Sequence, residues 1–369
     1  MTNMVKGFWK KLNKPFLALA PMADVTDAAF RRIIAKYGKP DVMFTEFVSC
    51  DGLCSEGKKA LLPILKFSGK ERPIVAQVFG AKPENFYKTA KLIKKLGFDG
   101  IDINMGCPDK KIQKQNAGAM LINNPELAKK IILETKRGAG EMPVSVKTRI
   151  GYDKYDKKEF KKWLTALLEA RPAAITIHAR TKKEMSLAPA RWETIAEAVK
   201  IRNDFDSSKK RTLIIGNGDI KNVADAKEKA KISGADGVMI GRAVFGNPWL
   251  FANLAPGKLL SFATSFAARR REKSKFSAEN YANRANDNDL SGHYESLRLS
   301  ILLEHAKLFE KINPPAGGAK KFNVMKKHFK AYVSGFPGAK KLRIKLMACE
   351  NAKEVEKVIS SWPILSSDQ

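Results

Sequence analysis

Short apolar runs alternate with longer amphipathic segments along most of this chain, and this alternation limits the folds that it can adopt. Eight apolar runs have the length and composition of buried β-strands. They lie at residues 16–20, 42–47, 73–79, 100–104, 143–147, 174–178, 212–216 and 237–241. Segments with apolar residues at helical spacing lie between most of them, at 27–37, 83–96, 125–137, 155–170, 190–202 and 223–232.

Strands that alternate with helices pair in parallel through right-handed crossovers. Eight such units within roughly 250 residues favour an α/β fold of the closed (β/α)8 type, a TIM barrel. An open doubly wound sheet is the alternative, although no Gly-x-Gly-x-x-Gly turn follows the first predicted strand. In a barrel, functional residues stand at the carboxyl ends of the strands, so the residues at those ends are the candidates for a site.

The alternation of strands and helices stops after Phe251. We therefore expect a barrel domain over residues 1–255, a basic and polar linker or insertion with partial disorder over 256–290, and a small helical domain over 291–369. Basic residues run along the predicted helices of the last segment, with two aromatic residues between them. They are Lys320, Lys321, Lys326, Lys327, Lys330, Lys340, Lys341, Arg343 and Lys345, with Tyr332 and Phe336.

The charge balance of the chain points to a class of partner. The chain has 68 lysines and arginines against 38 aspartates and glutamates, a formal net charge of +30 at pH 7. Such a charge favours a polyanion such as nucleic acid, and a proteome that is rich in lysine is the competing explanation. A basic helical surface would bind the phosphates of a nucleic acid through a term that depends on salt and not on sequence.

The cysteines and the apolar segments bear on where such a protein works. Four cysteines, Cys50, Cys54, Cys107 and Cys349, form no disulfide framework, which indicates a reducing compartment. The first two have no second pair at zinc spacing and no histidine cluster beside them, so we expect no metal site. With no signal-peptide pattern and no apolar run of about 18 residues, we expect a cytoplasmic protein with no membrane contact and no obligate protein partner.

Polar and titratable residues follow the predicted strands. They are Pro21-Met22-Ala23, Glu46, Gln77, Asn104 with Cys107, Lys147-Thr148-Arg149, His178-Ala179-Arg180-Thr181, Asn217-Gly218-Asp219 and Gly241-Arg242. Taken singly, each has a structural explanation: Cys107 as a small buried apolar residue, Lys147 as a side chain that reaches solvent, and His178 as a core residue. Taken together, they are predicted to converge on one face of the barrel.

The loops after the seventh and eighth strands are rich in glycine. TIM barrels commonly hold a phosphate at this place through backbone N–H groups and the N-terminus of a short helix. Gly218 and Gly241 would let the backbone approach the phosphate, and Arg242 would add a charge-assisted hydrogen bond. The alternative is that these glycines only form tight turns.

Seven runs of this sequence resemble the tRNA-dihydrouridine synthases, in the order of that family and over about residues 15–255. The runs are Leu19-Ala20-Pro21-Met22-Ala23-Asp24-Val25-Thr26-Asp27, Gln77-Val78-Phe79-Gly80, Asp102-Ile103-Asn104-Met105-Gly106-Cys107-Pro108, Val146-Lys147-Thr148-Arg149, Ile177-His178-Ala179-Arg180-Thr181, Gly216-Asn217-Gly218-Asp219-Ile220 and Met239-Ile240-Gly241-Arg242. The third and sixth of these runs are the specific ones. The helical tail resembles the family only in length, helicity and charge.

The resemblance implies an FMN enzyme that reduces the C5–C6 double bond of specific uridines in tRNA, with NADPH or NADH as reductant. In such a reaction a hydride reaches C6 and a proton must reach C5. Cys107 matches the family's acid, and an ordinary thiol, with a pKa of about 8.5, is mostly protonated at neutral pH.

The resemblance also implies roles for the other strand-end residues. Lys147 matches a lysine that contacts the flavin, where a fixed cation stabilises the negative charge of the reduced ring. Contacts with the FMN ring or phosphate are implied for Pro21, Met22, Ala23, Gln77, His178, Asn217, Gly218, Asp219, Gly241 and Arg242. Contacts with the substrate are implied for Asn104 and Arg149.

One loop departs from the family pattern. After Thr181 many family members have a Gln-x-Tyr-x-Gly-like stretch, whereas residues 182–192 here contain neither a tyrosine nor a glycine. The departure puts in doubt which tRNA position is read. Two further hypotheses remain from the sequence: another FMN barrel that reduces a small enone or pyrimidine, and a non-enzymatic RNA-binding protein on a degenerate barrel.

Overall fold

The structure is a computed structural model, and it describes residues 7–208, 211–252, 290–315, 318 and 320–362. The chain forms two compact units. The first contains Met1–Arg31 and Pro40–Ala243, and the second contains Arg32–Lys39 and Val244–Gln369. The predicted boundary at residue 255, and the predicted linker as far as residue 289, lie outside the described residues.

Parallel strands form a single sheet in the described part of the first unit. The strands are β1 (Phe16–Leu19), β2 (Met43–Phe44), β3 (Val48–Ser49), β4 (Ile74–Phe79), β5 (Gly100–Met105), β6 (Val144–Arg149), β7 (Ala174–His178), β8 (Leu213–Asn217) and β9 (Gly237–Ile240). Their order is β1-β9-β8-β7-β6-β5-β4-β2, and β3 also pairs with β4. A bridge between Ala18 and Val42 joins the two ends of this order. The predicted (β/α)8 barrel is thus confirmed.

The second predicted strand, at 42–47, is interrupted. It forms two short strands, β2 and β3, which both pair with β4. Between them the Thr45 hydroxyl accepts a hydrogen bond from the backbone N–H of Gln77 at 3.1 Å, where a carbonyl would accept it in a regular ladder. The interruption coincides with Thr45 and Glu46, two consecutive polar residues within the run that was predicted as one strand.

Helices follow most of the strands. In the first unit and across its division with the second they are Ala28–Tyr37, Cys50–Leu53, Lys58–Leu61, Pro83–Lys95, Lys110–Gln113, Pro125–Ala139, Lys157–Glu169, Glu193–Phe205 and Val223–Ser233. Four of the longer ones begin at an Asp or Asn whose side chain accepts from backbone N–H groups of the first turn: Asp27, Asn124, Asp156 and Asn222. Such caps satisfy N–H groups that the helix itself leaves without acceptors.

Apolar side chains fill the interior of the barrel below the site. They include Trp9, Phe16, Ala18, Val42, Phe44, Val75, Leu213, Ile215 and Met239, all of which are buried. Burial of this cluster removes apolar surface from water and supports the strands from inside. No helix in the described residues is long and apolar enough to cross a membrane.

The second unit is helical in its described part. Its helices are Leu290–Ile312, Met325–Tyr332, Ala339–Met347 and Ala352–Ser360, and its core includes Leu302, Phe309, Phe329, Leu342 and Val355. The prediction that Tyr332 lies among the surface lysines was wrong, because its side chain is fully buried. Lys321, Lys330, Lys340, Lys341 and Lys345 are exposed.

Candidate active site

A cavity of about 840 Å³ opens at the carboxyl ends of the barrel strands. This volume lies within the range of small-molecule and cofactor sites, about 300–1,000 Å³. The predicted site residues that line it are Pro21, Met22, Gln77, Asn104, Cys107, Lys147, Arg149, His178, Asn217, Gly218, Asp219, Gly241 and Arg242. Ala23 is exposed and does not line the cavity. In the described part of the chain, no cluster of His, Cys, Asp and Glu side chains is suited to hold a metal ion.

A chain of hydrogen bonds crosses three strands and ends at Cys107. Ser145 Oγ donates to Asp102 Oδ1 at 2.6 Å, and Gln77 Nε2 donates to Asp102 Oδ2 at 2.7 Å. Asn104 Nδ2 donates to Gln77 Oε1 at 3.1 Å, and Asn104 Oδ1 accepts the backbone N–H of Cys107 at 2.9 Å. Because an ionised Asp102 only accepts hydrogen bonds, this series of bonds fixes the orientation of the side-chain amides of Gln77 and Asn104.

Strand register brings these side chains to one level. Asp102 pairs with Gln77 on β4 and with Ser145 on β6. Asn104 is two residues further along β5 and therefore points to the same side of the sheet as Asp102. Burial raises the pKa of the Asp102 carboxyl from 3.8 to about 6, so the group is ionised at neutral pH.

Cys107 lies in the loop that follows β5 and is partly buried in the cavity wall. Its backbone N–H is held by Asn104, and its carbonyl accepts the N–H of Ala119 at 3.1 Å. Burial raises the pKa of the Cys107 thiol above its ordinary value. A thiol of this kind stays protonated at pH 7, which suits it to donate a proton and makes it a poor nucleophile.

A lysine and a neutral histidine line the other side of the cavity. Lys147 Nζ lies 3.3 Å from Asn217 Oδ1, and burial, followed by the charge of Arg149, lowers the pKa of Lys147 to about 8. Burial and then the nearby charge of Lys147 lower the pKa of His178 well below its ordinary value. Arg180 Nη1 lies 3.1 Å from His178 Nε2, and since arginine only donates, that nitrogen is the acceptor.

A carboxylate holds two arginines at the loop after β8. Asp219 Oδ1 accepts from Arg242 Nη2 at 2.7 Å, and Asp219 Oδ2 accepts from Arg180 and from the backbone N–H of Ala190. Although burial opposes it, the hydrogen bond from Arg180 keeps the pKa of Asp219 below its ordinary value. Asp219 therefore positions cations, and its own charge would repel a phosphate.

Two glycines shape this end of the cavity. Gly218 has a φ of +130°, and a Cβ there would lie 2.7 Å from the Cβ of Ala190. At Gly241 a Cβ would meet only Ala20 and Met22, at 3.5 and 3.6 Å, and would occupy the floor of the cavity beside Arg242. The positive φ at position 218 requires glycine, whereas the absence of a side chain at Gly241 leaves space that a ligand can occupy.

Comparison with known proteins places the chain in a family. A family model described as "Dihydrouridine synthase" matches residues 18–366. The chain belongs to the dihydrouridine synthase family. It is 38% identical over 360 residues to a protein of Staphylococcus aureus (strain COL) named "Probable tRNA-dihydrouridine synthase", with 97% of this chain and 96% of the relative covered. It is 36% identical over 360 residues to "Probable tRNA-dihydrouridine synthase 2" of Bacillus subtilis (strain 168), with 97% of each chain covered.

Among solved structures, morphinone reductase aligns with 64% of this chain and 85% of its own, at a TM-score of 0.45 and 13% identity. The family match makes the protein a dihydrouridine synthase, which is an oxidoreductase. The match does not favour the hypothesis of a small-molecule reductase, and it contradicts the hypothesis of a non-enzymatic RNA-binding protein.

Arg149 of this synthase lines the cavity, but its hydrogen bonds go to the backbone. Its Nε donates to the carbonyl of Gly106 at 2.8 Å, and its Nη1 donates to the carbonyls of Thr181 and Met185 at 2.9 and 3.2 Å. The guanidinium thus ties the loop that carries Cys107 to the loop after β7. This geometry supports a positioning role more directly than the predicted contact with substrate.

Sequence reasoning gave no role to several residues of the synthase site. Asp102 orients Gln77 from behind the cavity, and Arg180 shares Asp219 with Arg242. Phe47, Met185 and Ser186 also line the cavity. The signal for Asp102 was present, since it is a carboxylate between Ile101 and Ile103 in a strand whose only other polar side chain is Asn104. Loop residues such as Met185 carry no such signal.

The chemistry of the residues in the synthase cavity fits a flavin. Lys147 and the ordered amide of Gln77 suit the polar edge of an isoalloxazine ring, because one supplies a cation and the other a fixed dipole. Arg180 and Arg242 supply positive charge beside the space above Gly241, which suits a phosphate. The cavity thus offers distinct places for a ring and for an anionic group.

Proposed function

We propose that this protein is an FMN-dependent tRNA-dihydrouridine synthase, which reduces the C5–C6 double bond of specific uridines in tRNA with NADPH or NADH as reductant. The observation that carries the proposal is the position of Cys107, held through Asn104 at 2.9 Å in the same cavity as Lys147. The relatives named as tRNA-dihydrouridine synthases, which align with 97% of this chain, also support it.

Cys107 is the proton donor in this proposal. When bound, a reduced flavin supplies the hydride that reaches C6 of the uracil. The Cys107 thiol holds a proton at Sγ and delivers it to C5, because burial keeps the thiol neutral where a carboxylate would already be ionised. Asn104 and Gln77 orient the loop that carries this thiol.

Residues on several strands would hold the cofactor. Lys147 and Gln77 would contact the polar edge of the ring, with Pro21 and Met22 against it. The phosphate group would lie near His178, Asn217, Gly218, Gly241 and Arg242. Asp219 would hold the arginines in place and would not contact the phosphate itself. Ala23 belongs to the predicted set but has no direct support from the cavity lining.

The proposed substrate, tRNA, is a polyanion, and the helical unit carries positive charge suited to bind it. The exposed lysines of the helical unit, such as Lys340 and Lys341, would contact tRNA phosphates through a salt-dependent term. The barrel cavity would receive one uridine that leaves its stack. A tRNA substrate and reduced nicotinamide also fit a protein that works in the cytoplasm, without a membrane.

The test begins with purified protein. We expect a yellow protein whose flavin is FMN, and we expect it to form dihydrouridine in tRNA from a strain that lacks the gene, with NADPH or NADH supplied. Mass spectrometry of the nucleosides measures the product and maps the modified position. A flavin-free protein, or full-length protein with flavin that leaves such tRNA unmodified, would contradict the proposal.

A further inference from the structure

The loop at residues 182–190, which follows β7, presents an apolar tip beside the cavity. Leu187 is 91% exposed, more than any other large apolar side chain in the described part of the chain. Met185 is 50% exposed and lines the cavity together with Ser186. A single exposed leucine is ordinary on a protein surface, so the meaning of Leu187 depends on how its loop is held and what surrounds it.

The loop is fixed in place by polar contacts. Arg149 Nη1 donates to the carbonyl of Met185 at 3.2 Å, and the backbone N–H of Ala190 donates to Asp219 at 2.9 Å. The backbone N–H of Leu187 donates within the loop at 2.9 Å. Because these bonds hold the loop at its middle and its end, a side chain at its tip is presented without further ordering of the backbone.

The backbone of the loop is strained next to the cavity. Met185 has a φ of +51°, in the left-handed region that residues with a side chain rarely adopt. Its N–H donates to the carbonyl of Lys182 at 3.2 Å, while Arg149 holds its carbonyl. Strain of this kind persists where surrounding contacts enforce it, and it is typical of functional loops.

Lysines stand on this loop and on a helix that is linked to it. Lys182 Nζ lies 4.5 Å from the centre of the Tyr152 ring, and the Tyr152 hydroxyl is bonded to Gln113 at 2.6 Å. These contacts join the loop to the short helix Lys110–Gln113, which carries exposed Lys110 and Lys111. An exposed apolar side chain on a loop that also carries lysines matches the chemistry of RNA, whose bases are apolar on their faces and whose phosphates are anionic.

We propose that Leu187 is a wedge that enters the RNA base stack beside the uridine extruded into the cavity. The inference rests on the proposed function and assigns to this loop the step that precedes reduction. A uridine that leaves its stack exposes the faces of its neighbours, and an inserted apolar side chain covers them and opposes its return. Met185 would border the extruded base at the mouth of the cavity.

The test compares two exposed apolar residues on two forms of one tRNA. Leu187→Ala removes the tip, and Ile232→Ala removes a side chain that is 74% exposed on the helix Val223–Ser233. One tRNA is intact, and the other has an abasic site next to the uridine that the wild type reduces. We expect Leu187→Ala to lower kcat/KM on intact tRNA about tenfold or more, and on the abasic tRNA by no more than about twofold. Ile232→Ala should leave both values unchanged.

A binding measurement without reductant gives a second readout. With 2-aminopurine next to the target uridine, wild-type protein should raise the fluorescence as the stack opens, and Leu187→Ala should bind with a smaller rise. Equal kcat/KM for Leu187→Ala and wild type on intact tRNA, or equal losses on both tRNAs, would overturn the inference alone. A wild type that reduces neither tRNA would overturn the proposed function, and the inference with it.

Discussion

The carboxamide oxygen of Asn104 accepts the backbone N–H of Cys107 at 2.9 Å, and it also accepts that of Gly106 at 3.1 Å. The thiol is therefore positioned through its main chain, by a side chain whose orientation is set by Gln77. The Cys107 thiol takes no part in these two bonds of Asn104. Substitution of the thiol should therefore change chemistry and leave the cavity intact.

Cys107→Ala should retain FMN and its reduction by NADPH, and should lower dihydrouridine formation by about 10²- to 10⁴-fold, since one positioned acid is lost. The product is measured by mass spectrometry of tRNA nucleosides. In the wild type, the raised pKa of the thiol should keep the rate of the reductive step constant up to the ordinary thiol range and lower it only above that range. Cys54→Ala, at an exposed cysteine, is the matched control and should behave as wild type.

Asp102 should make stability depend on pH in a defined window. Burial raises its pKa from 3.8 to about 6, so between these values the folded state keeps a proton that the unfolded state releases. Folded stability from this group is thus lost as pH rises through that window, by at most about 3 kcal/mol. Chemical denaturation from pH 4 to 7 should show this loss in wild type relative to Asp102→Asn. Parallel curves for the two proteins would contradict the prediction.

Asp102→Leu should break the orientation of Gln77, because it leaves Gln77 Nε2 without its acceptor at 2.7 Å. Asp102→Asn keeps an oxygen for that bond and can donate to Ser145 Oγ. We therefore expect weaker FMN binding in the leucine variant than in the asparagine variant, measured by flavin fluorescence. Equal affinities in the two variants would show that the hydrogen bond to Gln77 does not matter for the cofactor.

FMN affinity should fall as pH rises through about 8. The pKa of Lys147 is lowered to about 8 in the free protein, so above this pH the lysine must gain a proton before it can act as a cation at the polar edge of the ring. Titration of the apoprotein with FMN from pH 6.5 to 9.5 measures this effect. Lys147→Met should bind FMN more weakly at pH 7 and should lack the fall near pH 8. A wild-type affinity that is flat over this range would contradict the assignment.

Charge on the helical unit should govern tRNA affinity and leave the flavin alone. Lys340→Glu with Lys341→Glu should weaken tRNA binding and reduce its salt dependence, because fewer counterions are released. The control is Lys94→Glu with Lys95→Glu, an equal change of net charge at the C-terminal end of the helix Pro83–Lys95. FMN content should match wild type in both double variants. Equal weakening by both pairs would indicate a general effect of net charge.

Apolar periodicity was enough to predict the barrel, because its strands are largely buried and each of the longer helices between them buries one apolar face. Barrel topology then predicted which side chains meet, since strand ends converge whatever lies between them. The same reasoning could not distinguish residues that contact a bound molecule from residues that only position their neighbours. Asp219 and Arg149 both stand at strand ends, yet Asp219 accepts hydrogen bonds from arginines and Arg149 donates to backbone carbonyls.

Two features were misjudged although the sequence carries a local pattern for each. Tyr332 follows a run of lysines, yet its spacing from Phe322, Met325 and Phe329 is that of one apolar helix face, and its side chain is buried. The break between β2 and β3 falls at the polar residues Thr45 and Glu46, where the Thr45 hydroxyl accepts from the backbone N–H of Gln77, 32 residues away. The sequence marks the position of the break, whereas the partner of Thr45 depends on a long-range contact that no local pattern gives.

The bonds that Arg149 makes to Thr181 and Met185 end on main-chain oxygens, which every residue type possesses. The loop after β7 can therefore exchange its side chains without losing its anchor. In the family pattern a tyrosine and a glycine stand in this loop, and both bonds of Arg149 are made here without them. Under the proposed function, the side chains that meet the RNA can thus differ while the backbone of the loop stays attached to the strand that carries Arg149.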